Sequence, residues 1–100
     1  MKQHHYYISL KNMFNSDCAI YYGTNLPKMA KAFSILQGKI GNIFQFKLDI
    51  DENYDPDCGA FRSISSALPE QEAEKWGKKA LDKCDKIMAD IRKEFGDEAN

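Results

Sequence analysis

The sequence predicts an α+β fold, a single small domain of ββαββα order with a mainly antiparallel sheet and two helices packed on one of its faces. Three features lead there. Two short segments near the N-terminus alternate apolar and polar residues. Within Ile43 to Asp51, the stretch from Phe44 onward alternates without interruption. Two longer stretches carry apolar residues at spacings of three and four. A chain of 100 residues has room for one hydrophobic core, so residues 1–100 are read as one domain.

From His4 to Leu10, Tyr6, Ile8 and Leu10 share one face of a strand, with His5, Tyr7 and Ser9 on the other. Asp17 to Gly23 reads as its hairpin partner, with Cys18, Ile20 and Tyr22 on one face and Ala19 and Tyr21 on the other. The intervening Lys11 to Ser16 is loop-like, rich in Asn and Ser. Thr24 or Asn25 caps a helix whose first turn holds Pro27. Its apolar stripe is Leu26, Met29, Phe33, Leu36 and Ile40, and Gly38 or Gly41 ends it. In the third strand Phe44, Phe46, Leu48 and Ile50 point toward the core, and Gln45, Lys47, Asp49 and Asp51 point away. An acidic turn runs from Asp51 to Gly59. Ala60 to Ser65, with Phe61 and Ile64, is the candidate fourth strand.

Ser66 and Pro69 open a long final helix, striped by Ala73, Trp76, Ala80, Cys84, Ile87, Met88, Ile91 and Phe95 and stopped by Gly96. Asp97 to Asn100 reads as a frayed polar tail.

Composition narrows the function. With 43% apolar and 29% charged residues, and with six Phe, five Tyr and a Trp, the chain is globular rather than disordered. A net charge of −1 argues against binding driven by overall charge, whether to nucleic acid or to anionic membrane. Cys18, Cys58 and Cys84 are odd in number, widely spaced and outside any CxxC, which suggests neither a disulfide framework nor a zinc site and suits a reducing, cytoplasmic setting. Met1 to Leu10 lacks the apolar stretch of a signal peptide, and no run reaches the roughly 18 apolar residues of a spanning helix.

Few residues suggest chemistry. Asp49, Asp51, Asn53, Asp55 and Asp57 recur at every second position, as the opening ligands of a calcium loop do. Tyr54 then replaces the glycine of the sharp turn, Ala60 the closing Glu, and Pro56 interrupts the run. The turn therefore reads as a strand edge kept soluble by carboxylates, or as an acidic patch facing a partner. His4 and His5 are adjacent on a strand and face opposite sides, and the carboxylates around Cys58 disfavour its thiolate. No Gly-rich phosphate loop occurs. The expectation is no catalysis, no cofactor and no metal.

Surfaces are more informative. On a continuous final helix Lys75, Lys79, Lys83, Lys86 and Lys93 fall within an arc of about 80°, diluted by Glu72 and Asp90. That arc is either ordinary solvated surface or a basic stripe for an acidic protein or a nucleic-acid backbone. Helices on one side of the sheet leave the other side open, carrying Tyr7, Tyr21, Ile43, Gln45 and Lys47. Met13 and Phe14 at the hairpin tip either fold under the sheet or anchor a partner. Aromatics with little charge among them describe an interface core. The expected function is thus a small protein-interaction module, an inhibitor, immunity-type or accessory subunit that binds and occludes a protein partner or a second copy of itself. The alternative is a nucleic-acid-binding domain using the basic stripe or the aromatic sheet face.

Overall fold

The computed structural model describes residues 4–55, 57 and 59–100, so the readings made on Pro56 and Cys58 lie outside the described residues. Strands β1 (Tyr6–Lys11), β2 (Asp17–Gly23) and β3 (Gln45–Ile50) form an antiparallel sheet in the order β2-β1-β3. The central strand supplies Ile8 and Leu10 to the core, both wholly buried. Opposite Leu10 on β3 lies Phe46, also buried.

Helix α1 (Leu26–Ile40) begins as its sequence dictates. Asn25 Oδ1 accepts from the Lys28 N–H at 3.1 Å, Pro27 sits in the first turn, and Met29, Ala32, Leu36 and Ile40 are buried at helical spacing. The helix passes through Gly38 and ends at Gly41, and it lies across all three strands.

The fourth strand is not formed. Residues 60–63 run as irregular chain, and Ser63 starts a short helix α2 (Ile64–Ala67) through a reciprocal cap with Ser66. Asp85 secures it by accepting from Ser65 N–H at 2.9 Å and from Ser65 Oγ at 2.6 Å. The final helix is two helices, α3 (Glu70–Trp76) and α4 (Lys78–Phe95), because Gly77 adopts φ 85°, which a side chain would resist. The break shifts the phase of the apolar stripe, so that Leu81 is buried and Ala80 is exposed. The order among the described residues is therefore ββαβααα. The class stays α+β, with α4 packed against the other three helices.

Two further expectations change. Leu48 is only partly buried and Ile50 is 44% exposed, since the end of β3 runs beyond the cover of the helices. The tail does not fray. Ala99 is wholly buried, its N–H donates to Tyr22 O at 3.0 Å, and its carbonyl accepts from Thr24 and Asn25. Gly23 permits this approach, for a Cβ there would lie 2.4 Å from Ala99 O.

Candidate functional site

The open face of the sheet is shaped by a β-bulge. Ile8 is opposite Tyr21 and Ser9 is opposite Ala19, which leaves Ile20 as the extra residue of β2. Strict alternation would put Tyr21 on the open face. The bulge reverses the parity, so Tyr21 enters the core at 1% exposure and Tyr22 takes the open face beside Tyr7, ring centroids 6.4 Å apart. Tyr21 is held there by a hydrogen bond from its Oη to Gly96 O at 2.6 Å, and burial pushes its hydroxyl up to about 12.

Tyr22 is joined by Tyr54 from the acidic turn, edge-on at 5.5 Å, and Tyr54 stacks on His5 at 3.9 Å. The turn thus folds back against the open face, with Asp51 N–H bonded to His5 O at 2.8 Å. Between turn and sheet lies a groove of about 540 Å³, lined by Tyr7, Tyr22, Asp17, Asp49, Asp51 and Glu52 among others.

Gln45 and Lys47 are exposed on the same face, as expected. Lys47 pairs with Asp49 at 3.4 Å and Lys11 with Asp17 at 3.7 Å. The Lys47 ammonium is held above its ordinary value, first by its hydrogen bond to Asp49 and then by the charges of Tyr7 and Asp49. Asp49 is held below its own, first by the Ile50 N–H and then by Lys47. Ser9 lies in register between Ala19 and Lys47, 1% exposed, and its Oγ has no hydrogen-bond partner among the described residues.

The hairpin tip presents Met13 and Phe14 to water at 52% and 60% exposure. Its backbone is nonetheless fixed. Asn12 Oδ1 accepts from the N–H groups of Phe14 and Ser16, and Asn15 takes a left-handed φ of 63°. From α3, the buried carboxylate of Glu72 accepts from Met13 N–H at 2.8 Å. Ile43, 38% exposed, lies two residues before the Lys11–Gln45 pair and so belongs to the same end of the sheet.

The basic stripe is divided. Lys79, Lys83 and Lys86 are exposed on α4, whereas Lys75 belongs to α3 across the Gly77 break and lies 5.8 Å from the Trp76 ring. The carboxylates of the acidic turn close turns of their own, Asp51 Oδ1 accepting from Asn53 N–H and Asp55 Oδ1 from Asp57 N–H. Among the described residues no group of three or more His, Cys, Asp or Glu gathers as metal ligands would. Burial raises the Cys18 and Cys84 thiols above their ordinary value, which keeps both protonated near neutral pH. No described helix is long and apolar enough to cross a membrane.

Tyr22, Tyr54 and Glu72 are the residues of this surface that sequence reasoning missed. The Tyr21/Tyr22 doublet offered the first without deciding between its members. Nothing in the local pattern signals the other two. No family model, curated protein or solved structure matches the chain.

Proposed function

We propose that the chain is a protein-interaction module that binds and occludes a protein partner, as an inhibitor, immunity-type or accessory subunit does, without a catalytic step. The hairpin tip carries this reading. Met13 and Phe14 stand in water on a turn whose backbone is fixed by Asn12 and by the buried carboxylate of Glu72. Burying a carboxylate to hold a turn and leaving two large apolar groups exposed both work against stability. Together they suit a prebuilt anchor, because little ordering entropy remains to be lost on association. The aromatic open face, with Tyr7, Gln45 and Lys47 as expected and Tyr22 in place of Tyr21, extends the surface. The protonated thiols of Cys18 and Cys84 also favour binding over nucleophilic chemistry.

A photo-crosslinking residue at Phe14, at Tyr7 or at Lys83, introduced in the native host, separates the possibilities. Phe14 and Tyr7 are expected to yield one protein species of defined mass, or a second copy of the chain, and Lys83 none. Met13→Ser with Phe14→Ser is expected to weaken that complex by about 2 kcal/mol or more. Nucleic acid recovered from Lys83, with steep salt dependence, would favour the exposed Lys79, Lys83 and Lys86 face of α4 as the working surface. Silence at all three positions would sink the interaction reading.

A further inference from the structure

The groove on the open face has a chemical character beyond that of a generic contact surface. Its aromatic pair, Tyr7 and Tyr22, is bordered by Asp17, Asp49, Asp51 and Glu52, and no Lys or Arg is among the lining residues. Lys11 and Lys47 neutralise Asp17 and Asp49 from outside the groove. Among the described residues Asp51 and Glu52 form no ion pair, so the groove keeps an excess of negative charge.

Aromatic faces attract cations through their quadrupole, and guanidinium groups both stack on rings and pair with carboxylates. Charge complementarity of this kind selects partners and repels phosphate. We infer that the groove receives a cationic side chain, an arginine or lysine on a basic segment of the protein partner. The inference rests on the proposed interaction function and names the chemistry of the partner at this face. A nucleic-acid backbone is the wrong charge for it.

The probe is an acetylated, amidated hexapeptide of alternating Gly and Arg, with a peptide carrying citrulline in place of Arg as the neutral isostere. Titration into the ¹⁵N-labelled protein should shift the amides of Tyr7, Ala19, Tyr22 and residues 51–53, with the citrulline peptide at least tenfold weaker. Asp51→Asn with Glu52→Gln should weaken the Arg peptide severalfold while leaving amides elsewhere unmoved, because the carboxamide introduced at position 51 keeps an oxygen to accept from Asn53 N–H. Tyr22→Ser should weaken it about as much. Raising salt from about 50 to about 200 mM should weaken it further. Equal binding of the citrulline peptide, or shifts confined to the acidic residues of α4, would overturn the inference. Crosslinking from Tyr7 to a protein, together with an inert Arg peptide, would leave the interaction function standing and remove the cationic groove. An active Arg peptide with no crosslinking from Tyr7 or Phe14 would do the reverse.

Discussion

Tyr21 and Tyr22 leave β2 on opposite faces of the sheet. Tyr21 is enclosed by the core, its hydroxyl bonded to Gly96 O and its ring 5.9 Å from the Arg92 guanidinium. Tyr22 packs against other aromatics, Tyr7 and Tyr54, beside a groove rimmed by carboxylates. The same residue type is enclosed by the core on one face and lies beside the groove on the other, and a single extra residue, Ile20, decides which is which. The outer edge of β2 is sealed around that residue. Ala19 O accepts from Phe61 N–H, Ile20 O from Arg92, and Tyr22 O from Ala99 N–H. Unpaired strand edges invite association, so this edge is closed while the open face is left as the available surface.

The two faces should differ most in what truncation costs. Phe46→Ala removes a 5%-exposed ring from the core side of β3 and is expected to destabilise by about 3 to 5 kcal/mol in urea denaturation. Lys47→Ala, one residue along on the open face, should leave the midpoint nearly unmoved, as substitutions at exposed sites do. Similar costs at the two positions would mean that the open face is not open.

Next in size is Arg92, which ties α4 to the bulge. Its guanidinium donates to Ile20 O at 2.9 Å, to Phe61 O at 3.2 Å and to Arg62 O. Burial and the neighbouring Arg62 both lower its affinity for a proton, the cost of drawing this cation inward. Arg92→Met leaves those carbonyls to water and is expected to cost about 1.5 to 3 kcal/mol, the range for hydrogen bonds to charged groups. Amide exchange near Ile20 should quicken. An unchanged exchange rate would show that the bulge holds without Arg92.

How much of this was legible in the sequence follows from which forces left a local trace. The alternation from Gln45 to Ile50 and the Asn25/Pro27 start of α1 are side-chain patterns, and both were readable. Tyr7, Gln45 and Lys47 were placed on the open face by the same parity, whereas for Met13 and Phe14, in the loop, the sequence left open whether they fold under the sheet or face outward. The bulge was not readable, because Ile20, Tyr21 and Tyr22 are all apolar enough to face either way. Gly77 inside a helical period fits a tolerated glycine as well as a break. Phe61 and Ile64 suggested a strand, where the Ser63/Ser66 cap and Asp85 made a helix. The docking of Ala99 and the Glu72 clamp on Met13 are bonds to backbone groups far away in sequence, which no local period encodes.

A smaller effect tests Tyr21 itself. Tyr21→Phe keeps the ring and loses the bond to Gly96 O, at an expected cost of about 1 kcal/mol at neutral pH. The folded protein holds the Tyr21 proton up to about 12, chiefly through burial, whereas an unfolded tyrosine releases it near pH 10. Between those values the folded state binds more protons than the unfolded one, so stability is complete below about pH 10 and declines toward pH 12. Thermal melts across that window should show the decline in the parent chain and a shallower one in Tyr21→Phe. Parallel profiles would place the buried hydroxyl elsewhere.

Among the rings, the smallest change in stability is expected at Tyr22. Tyr22→Ser removes a partly buried ring whose neighbours, at 6.4 and 5.5 Å, include the rings of Tyr7 and Tyr54. Cross-strand aromatic pairs of this kind contribute about 0.2 to 1 kcal/mol, and neither backbone pairing nor the core depends on this one. Tyr22→Ser should therefore cost no more than Tyr21→Phe, although it deletes far more atoms, and it should keep the alkaline decline that Tyr21→Phe flattens. Its larger effect should fall on association, as a severalfold loss for a cationic ligand at the groove. If Tyr22→Ser proved the more destabilising of the two, the bulge would be misplaced and Tyr21 would return to the open face, because only one of the adjacent tyrosines can fill the core position opposite Ile8.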